Sequence, residues 1–407
     1  MNRLKNILSL FWYGVKLGEI NLLSLIINTI LFIYAALDIE EILQKDFLLL
    51  LLLLFTNIVW QGISLFGAIY RLFHSTGHYL DKIHQTCELE LPANQKYVRY
   101  QNPNIGVDII YSITTNAIIK GDKEISLSKS RSSKRYVDAY IRQNKGILLL
   151  FLKAKWKAKM DGAFFNESKL CQATEISENA KGASVWLRKG CYYDSFVTNE
   201  IYCCQLNHQS GITLYSPLNV TNAPIKALDN SYFGNHIGVS VIAVTTDGEM
   251  IILRHNNSSA ICSNMYAPSA SGSVDYGDWH QNSDTDFRQI VIRAMHREFE
   301  EETKISKEYI DRTEIIGTYR NLMRGGKPEY CGVTYLNVDG KTAQELFKPE
   351  KKEVQDRMER IVLFDGTIQA GHLKIEEYRR FEARHEKNIS PSLHMNMYFL
   401  EKFFTIE

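Results

Sequence analysis

The chain lacks paired cysteines, net charge and the usual phosphate-binding loop. Its 407 residues hold seven cysteines, at Cys87, Cys171, Cys191, Cys203, Cys204, Cys262 and Cys331. The count is odd, and no Cys-x-x-Cys spacing of the kind that clamps zinc occurs. In a reducing compartment these thiols read as packing residues. Forty-seven basic residues stand against 46 acidic ones, a formal charge of +1, and no DNA or RNA duplex is expected as a partner. No internal repeat and no P-loop is present. A mean hydropathy of −0.21 resembles that of an ordinary soluble protein, but the average dilutes two local extremes.

Those extremes lie near the start. Residues 20–37 are apolar except for Asn21, Ser24, Asn28 and Thr29, and residues 47–70 except for Thr56, Asn57, Gln61 and Ser64. Each run is long enough to cross about 30 Å of hydrocarbon as a helix. The first has no small-residue cleavage site and the second follows it closely, which argues against a removed leader and for a hairpin of two spans. Arg3, Lys5 and Lys16 precede the pair and Arg71 and Lys82 follow it, whereas the intervening loop has only Lys45. The positive-inside rule therefore predicts a multi-pass inner-membrane protein with both termini cytoplasmic. The lipid bilayer is one expected partner and a second copy of the chain in the membrane another.

Residues 71–150 are less regular. The pattern predicts strands at 107–111, 117–120 and 123–127, with Gly121-Asp122 as a two-residue hairpin turn. Lys129, Arg131, Lys134 and Arg135 then cluster among serines. A solvated loop, attraction to anionic lipid and binding of an anionic ligand all remain open for this stretch.

Most of the chemistry sits at residues 296–303, His-Arg-Glu-Phe-Glu-Glu-Glu-Thr. Glu298, Glu301 and Glu302 fall at i, i+3 and i+4 and share one helix face. Such like charges repel by a few tenths of a kcal/mol per pair, roughly, unless a cation sits on them. A hard divalent ion with oxygen ligands suits them. Arg297 can pair with a carboxylate and fix its rotamer. Upstream runs Ser271-Gly272-Ser273-Val274-Asp275-Tyr276-Gly277-Asp278.

Together the two segments resemble the Nudix box, G-x5-E-x7-R-E-U-x-E-E-x-G-U, where U is apolar. Gly272 to Asp278 matches the first part with Asp for Glu, and Arg297 to Glu302 matches R-E-U-x-E-E. The departures are an 18-residue separation between Asp278 and Arg297 in place of seven, Lys304 where the late Gly stands, and Ser271 in place of the first Gly of the usual pair. The inserted residues read as a polar loop, with the helix beginning near Phe287.

The flanks fit a scaffold for that helix. A strand at 237–245, an Asp247-Gly248 turn and a returning strand at 250–254 precede the box. Strands at 314–322 and 330–338 follow it, divided by residues 324–329, then a helix at 343–347, a strand at 360–364 and a closing helix at 375–386. Mixed strands with helices on both sides predict an α/β/α sandwich, the fold that the resemblance also implies. Residues 156–199 further resemble the small subdomain that precedes the Nudix domain in the UDP-sugar-hydrolysing branch. The expected organisation is thus α/β: a membrane anchor over 1–75, a β-rich basic region over 76–150, an α+β subdomain over 151–231 and a Nudix domain over 232–407.

What the resemblance implies is a Mg²⁺- or Mn²⁺-dependent pyrophosphohydrolase acting on a nucleoside diphosphate-linked substrate, a nucleotide sugar among them. Glu298, Glu301 and Glu302 would hold the metal, with Arg297 part of the catalytic set. Glu302, or Glu329 from the later loop, would take the proton of the attacking water. Gly272, Arg324 and Lys327 would contact substrate; an exposed hairpin tip is the plain alternative for the last two. Tyr319, Tyr330 and Tyr335 would stack on a base or merely pack. An anchor followed by a Nudix domain also resembles the transmembrane Nudix effectors of bacterial cyclic-oligonucleotide antiphage (CBASS) systems. That domain order implies an antiviral role with a cyclic-oligonucleotide signal. It leaves two classes of function: a membrane-anchored hydrolase, or a non-catalytic nucleotide sensor controlling a membrane-disrupting assembly.

Overall fold

The computed structural model describes residues 88–130, 168–208, 224–255, 264–347 and 373–405, apart from a few single or paired positions. It also describes short pieces at 78–82, 137–141, 213–215 and 357–362 and a few isolated helical positions. The expected spans at 20–37 and 47–70 lie outside the described residues except for Phe55, Thr56 and Val59, which are helical. Among the described residues no helix is long and apolar enough to cross a membrane.

The chain divides into two compact units. One comprises Met1–Lys82, Asp138–Phe165 and Cys204–Val220. Within it, the strand Cys204–His208 lies antiparallel between His78–Lys82 and Thr213–Tyr215. The other comprises Ile83–Val137, Asn166–Cys203 and Thr221–Glu407, and it carries the box.

In chain order the strands of this second unit that matter here are β1 (Tyr97–Asn102), β2 (Val107–Ser112), β3 (Ile125–Lys129), β4 (Lys169–Gln172), β5 (Ser177–Asn179), β6 (Gly182–Gly190), β7 (Gly238–Val244), β8 (Glu249–Arg254), β9 (Tyr266–Ala267), β10 (Ala270–Ser273), β11 (Ile310–Asn321), β12 (Lys327–Leu336) and β13 (Arg357–Val362). Its helices are α1 (Ile113–Lys120), α2 (Phe287–Thr303), α3 (Gly340–Leu346), α4 (Ile375–His385) and α5 (Pro391–Thr405). A nine-stranded mixed sheet runs β9-β8-β7-β12-β11-β2-β1, with β10 paired to β7 and β13 to β8. β7 and β12 are parallel. A four-stranded sheet is centred on β6, which pairs parallel with β3 and antiparallel with β4 and β5.

Every residue of β7 is buried because both faces of the large sheet are covered. Val239, Val241 and Ala243 meet Phe287, Ile290, Val291, Ala294, Met295 and Phe299 of α2, an apolar stripe at helical spacing. Ile242 and Val244 on the opposite face join Tyr378 and Phe381 of α4 and Leu393, Met397 and Leu400 of α5. Helix, sheet and helix thus form the three layers expected of a mixed α/β sandwich. The hairpin β7–β8 turns at Gly248, with φ of +81°, where the Asp-Gly signal predicts it. Helix α2 begins at Phe287, capped by the Asp286 carboxylate, which accepts the Arg288 N–H at 3.2 Å.

Three elements differ from the sequence reading. Residues 117–120 are helical, not a strand, and Gly121 is the cap of α1 rather than half of a hairpin turn. The isoleucines of 113–119 look β-like, but capping decides: Ser112 Oγ accepts the Thr115 N–H at 3.1 Å, and the Gly121 N–H bonds to Ala117 and Ile118 carbonyls. Buried Asn116 then bonds across to β11, donating to the Thr318 carbonyl at 2.9 Å and accepting the Thr318 N–H at 2.9 Å. Secondly, Lys327, Pro328 and Glu329 begin strand β12 instead of lying in a loop. Thirdly, α5 follows the helix expected to close the chain and covers the second face of the sheet. Strands β1 and β2, from the stretch set apart as 76–150, extend the large sheet through Arg320↔Ile110 and Asn321↔Ile109.

Candidate active site

Strand β10 and the turn after it meet the C-terminal half of α2. In the register Gly238↔Ser273 and Val239↔Gly272, Gly272 shares Val239's face, the one against α2. A Cβ at Gly272 would land on the Glu298 carboxylate, so a larger residue there would require that acid to turn away. The next turn, Tyr276–Asp278, is 3₁₀ and is closed by the Asp275 N–H donating to Asp278 Oδ2 at 2.8 Å.

Arg297 fastens this loop to the helix. Its Nε and Nη2 donate to the two oxygens of Asp278 at 3.1 and 3.0 Å, a bidentate pair, and Nη2 also donates to the Ser273 carbonyl at 2.8 Å. Nη1 donates to Glu298 Oε1 at 2.9 Å and lies 3.4 and 3.5 Å from the oxygens of Glu301. The structure therefore brings together Gly272, Asp278, Arg297 and Glu298, and the shorter Asp278 reaches the arginine without the extra methylene of Glu. The insertion between them is tied down: Arg293 pairs with Asp284 at 2.8 Å, and Asp286 caps the helix.

Glu298, Glu301 and Glu302 share the face that their spacing predicts. Glu298 Oε1 also accepts the Ser273 N–H at 3.2 Å, and Glu302 Oε1 accepts the Ser271 N–H at 3.3 Å. Burial pushes the Glu298 carboxyl above its ordinary pKa against the pull of Arg297. Among the described residues no three His, Cys, Asp or Glu side chains converge as a metal site requires. Arg297 Nη1 lies between Glu298 and Glu301, within 3.5 Å of both. The donor chemistry nevertheless fits a hard divalent cation. Carboxylate oxygens are its preferred ligands, positive charge would relieve the buried Glu298, and Glu301, 58% exposed, has room to turn inward.

Lys304 stands where the resemblance has its late glycine, and its φ of +60° is the left-handed C-cap of α2. The position needs that backbone geometry whatever residue fills it. Lys304→Gly is accordingly expected to stabilise the protein by about 0.5–1 kcal/mol, read as a raised urea midpoint at unchanged slope.

Arg324, Lys327 and Glu329 are placed differently. Glu329 pairs in register with Gly238, whose side faces away from α2, so Glu329 and Lys327 lie on the sheet face opposite Glu298. Lys327 is 1% exposed and donates to Glu329 at 2.6 Å. Arg324 donates to Glu329 at 2.9 Å and to Glu200 at 2.6 Å. The reading of Arg324 and Lys327 as an exposed tip is thereby corrected. Gly325 and Gly326, with φ of +55° and +71°, fold the turn back so that burial and its neighbour Arg324 lower the pKa of Lys327. Tyr319, Tyr330 and Tyr335 are all buried packing residues.

Near the loop, Lys169 and Lys189 had no signal in the sequence, and Lys129 had one only as part of the basic cluster at 129–135. Lys169 of β4 donates to Asp275 at 2.6 Å, and its charge acts on Glu298. Lys129 and Lys189, from β3 and β6, lie 6.0 and 5.0 Å from the centre of the Tyr276 ring. Glu200 belongs to the ion-pair group of Arg324. Pairings between strands far apart in the chain bring the three lysines to the loop.

No family model and no curated relative matches the chain. Solved structures similar to it include a protein of Deinococcus radiodurans, at 15% identity and a TM-score of 0.26 over 40% of this chain and 81% of that one. A MutT protein from Methanosarcina mazei matches at 17% identity and a TM-score of 0.21, over 37% and 93% of the two chains. A Nudix hydrolase from M. smegmatis matches at 10% identity and a TM-score of 0.23, over 42% and 86%.

Proposed function

We propose that this chain is a metal-dependent Nudix-type hydrolase that cleaves a nucleoside diphosphate-linked substrate and is anchored in the cell inner membrane by residues 20–37 and 47–70. The observation that carries the reading is the joint placement of Gly272 beneath Glu298 and of Asp278 in the fork of Arg297.

Glu298, Glu301 and Glu302 would hold Mg²⁺ or Mn²⁺. The ion would supply positive charge against the phosphates and lower the pKa of a bound water. Arg297 fixes the rotamer of Glu298, and Gly272 lets the loop backbone come close to substrate phosphates. Glu302 is the residue proposed to accept the proton of the attacking water. The register that puts Glu329 on the other sheet face, already paired with Arg324 and Lys327, supports Glu302 over Glu329. A role as an effector that responds to a cyclic oligonucleotide rests on domain order alone.

The alternative is a non-catalytic nucleotide sensor, in which the same fold binds its ligand without cleaving it. Incubating the purified full-length chain with Mg²⁺ or Mn²⁺ and a panel of nucleotide sugars, dinucleotides and cyclic oligonucleotides separates the two. Metal-dependent cleavage of a phosphoanhydride supports the hydrolase, whereas saturable binding with no product from any of them supports the sensor.

A further inference from the structure

The inward face of the four-stranded sheet is apolar along most of its length and then changes character. Ile125 and Leu127 of β3 and Ala183, Val185 and Leu187 of β6 form or flank the core under α2. The next residues of the same parity are Lys129 and Lys189. Both strands run the same way, with Lys129 in register with Leu187, so the two lysines emerge at one end of the sheet. That end meets the box loop: the Leu170 N–H bonds to the Val274 carbonyl at 2.9 Å, the Tyr276 N–H to the Ser168 carbonyl at 3.0 Å, and Lys169 pairs with Asp275.

Two ammonium groups thus flank one tyrosine ring, with a third a few residues away, beside the loop that holds Arg297. Lys129 and Lys189 are exposed, and among the described residues neither has an acidic partner. Each ammonium stands by the same ring, at 6.0 and 5.0 Å from its centre, where an anion could draw on both charges.

The geometry points to Lys129 and Lys189, seated on Tyr276, as a phosphate-binding shelf for a part of the substrate distal to the bond that is cleaved. This rests on the hydrolase reading and narrows it: the preferred substrate carries more negative charge than a single diphosphate link. It also assigns the first residue of the basic stretch at 129–135 to an anionic ligand.

The test measures binding, so that it stands apart from turnover. The full-length chain is titrated calorimetrically with inorganic tripolyphosphate in Mg²⁺ buffer, alongside Lys129→Ala/Lys189→Ala, Lys129→Arg/Lys189→Arg and, as a control in the bend before β3, Lys123→Ala. The double alanine variant is expected to bind about tenfold more weakly, with the arginine pair and the control near wild type. Raising the salt should erase most of the difference. Equal binding by the double alanine variant, no binding by wild type, or attachment only to anionic lipid vesicles would each overturn the shelf. Intact tripolyphosphate binding in a chain that hydrolyses nothing would instead count against the hydrolase reading alone.

Discussion

Replacing Glu298 with Gln is expected to lower metal-dependent hydrolysis by about 10²–10⁴-fold while leaving the fold intact. The substitution keeps the shape of the side chain and an oxygen for the Ser273 N–H, but it removes the charge shared between Arg297 and a divalent ion. Because burial already disfavours the charged acid, neutralising it should not destabilise the protein, and the urea midpoint should stay at or above wild type. Turnover assayed with either metal reads the first effect and unfolding reads the second. Undiminished turnover in the Gln variant would remove Glu298 from the reaction. Full biological activity in the Glu298→Gln/Glu302→Gln double variant would favour the sensor.

The largest effect on stability is expected at Arg297. Replacing it with Ala removes both bonds to Asp278, one to Ser273 and one to Glu298 at a stroke. The Asp278 side chain, 8% exposed, would be left without a cation next to a second buried acid. Breaking a pair of this kind costs about 3 kcal/mol, near the lower end for buried pairs because a quarter of the Arg297 side chain reaches solvent. Urea unfolding of Arg297→Ala should show that loss. In the Arg297→Ala/Asp278→Asn background the deficit should shrink, since the stranded charge is gone. A single variant as stable as wild type would mean that the loop is held by something else.

Much of this site can be read from the sequence, and the boundary between legible and hidden is physical. Helix α2, its start at Phe287 and the shared face of the acids follow from local periodicity and a capping aspartate. The β7–β8 hairpin follows from Asp-Gly. Helix α1 was hidden because its isoleucines and threonines suit a strand, and the deciding cap and the Asn116–Thr318 pairing are tertiary. Residues 327–329 read as loop because Gly-Gly-Lys-Pro is turn chemistry, yet only its glycines turn. The positions of Lys129, Lys169 and Lys189 are set by strands that meet from far apart in the chain, which no local pattern encodes.

The side chain of Asn116 closes the rim of the large sheet where no strand does. Strand β2 covers the rim of β11 only at Ile109 and Ile110, and the Thr318 peptide beyond is met on both its hydrogen-bonding groups by one carboxamide. A lone amide thus does the work of an absent neighbouring strand. Were it a leucine, the Thr318 N–H and carbonyl would be buried without partners, and the first symptom would be lost stability.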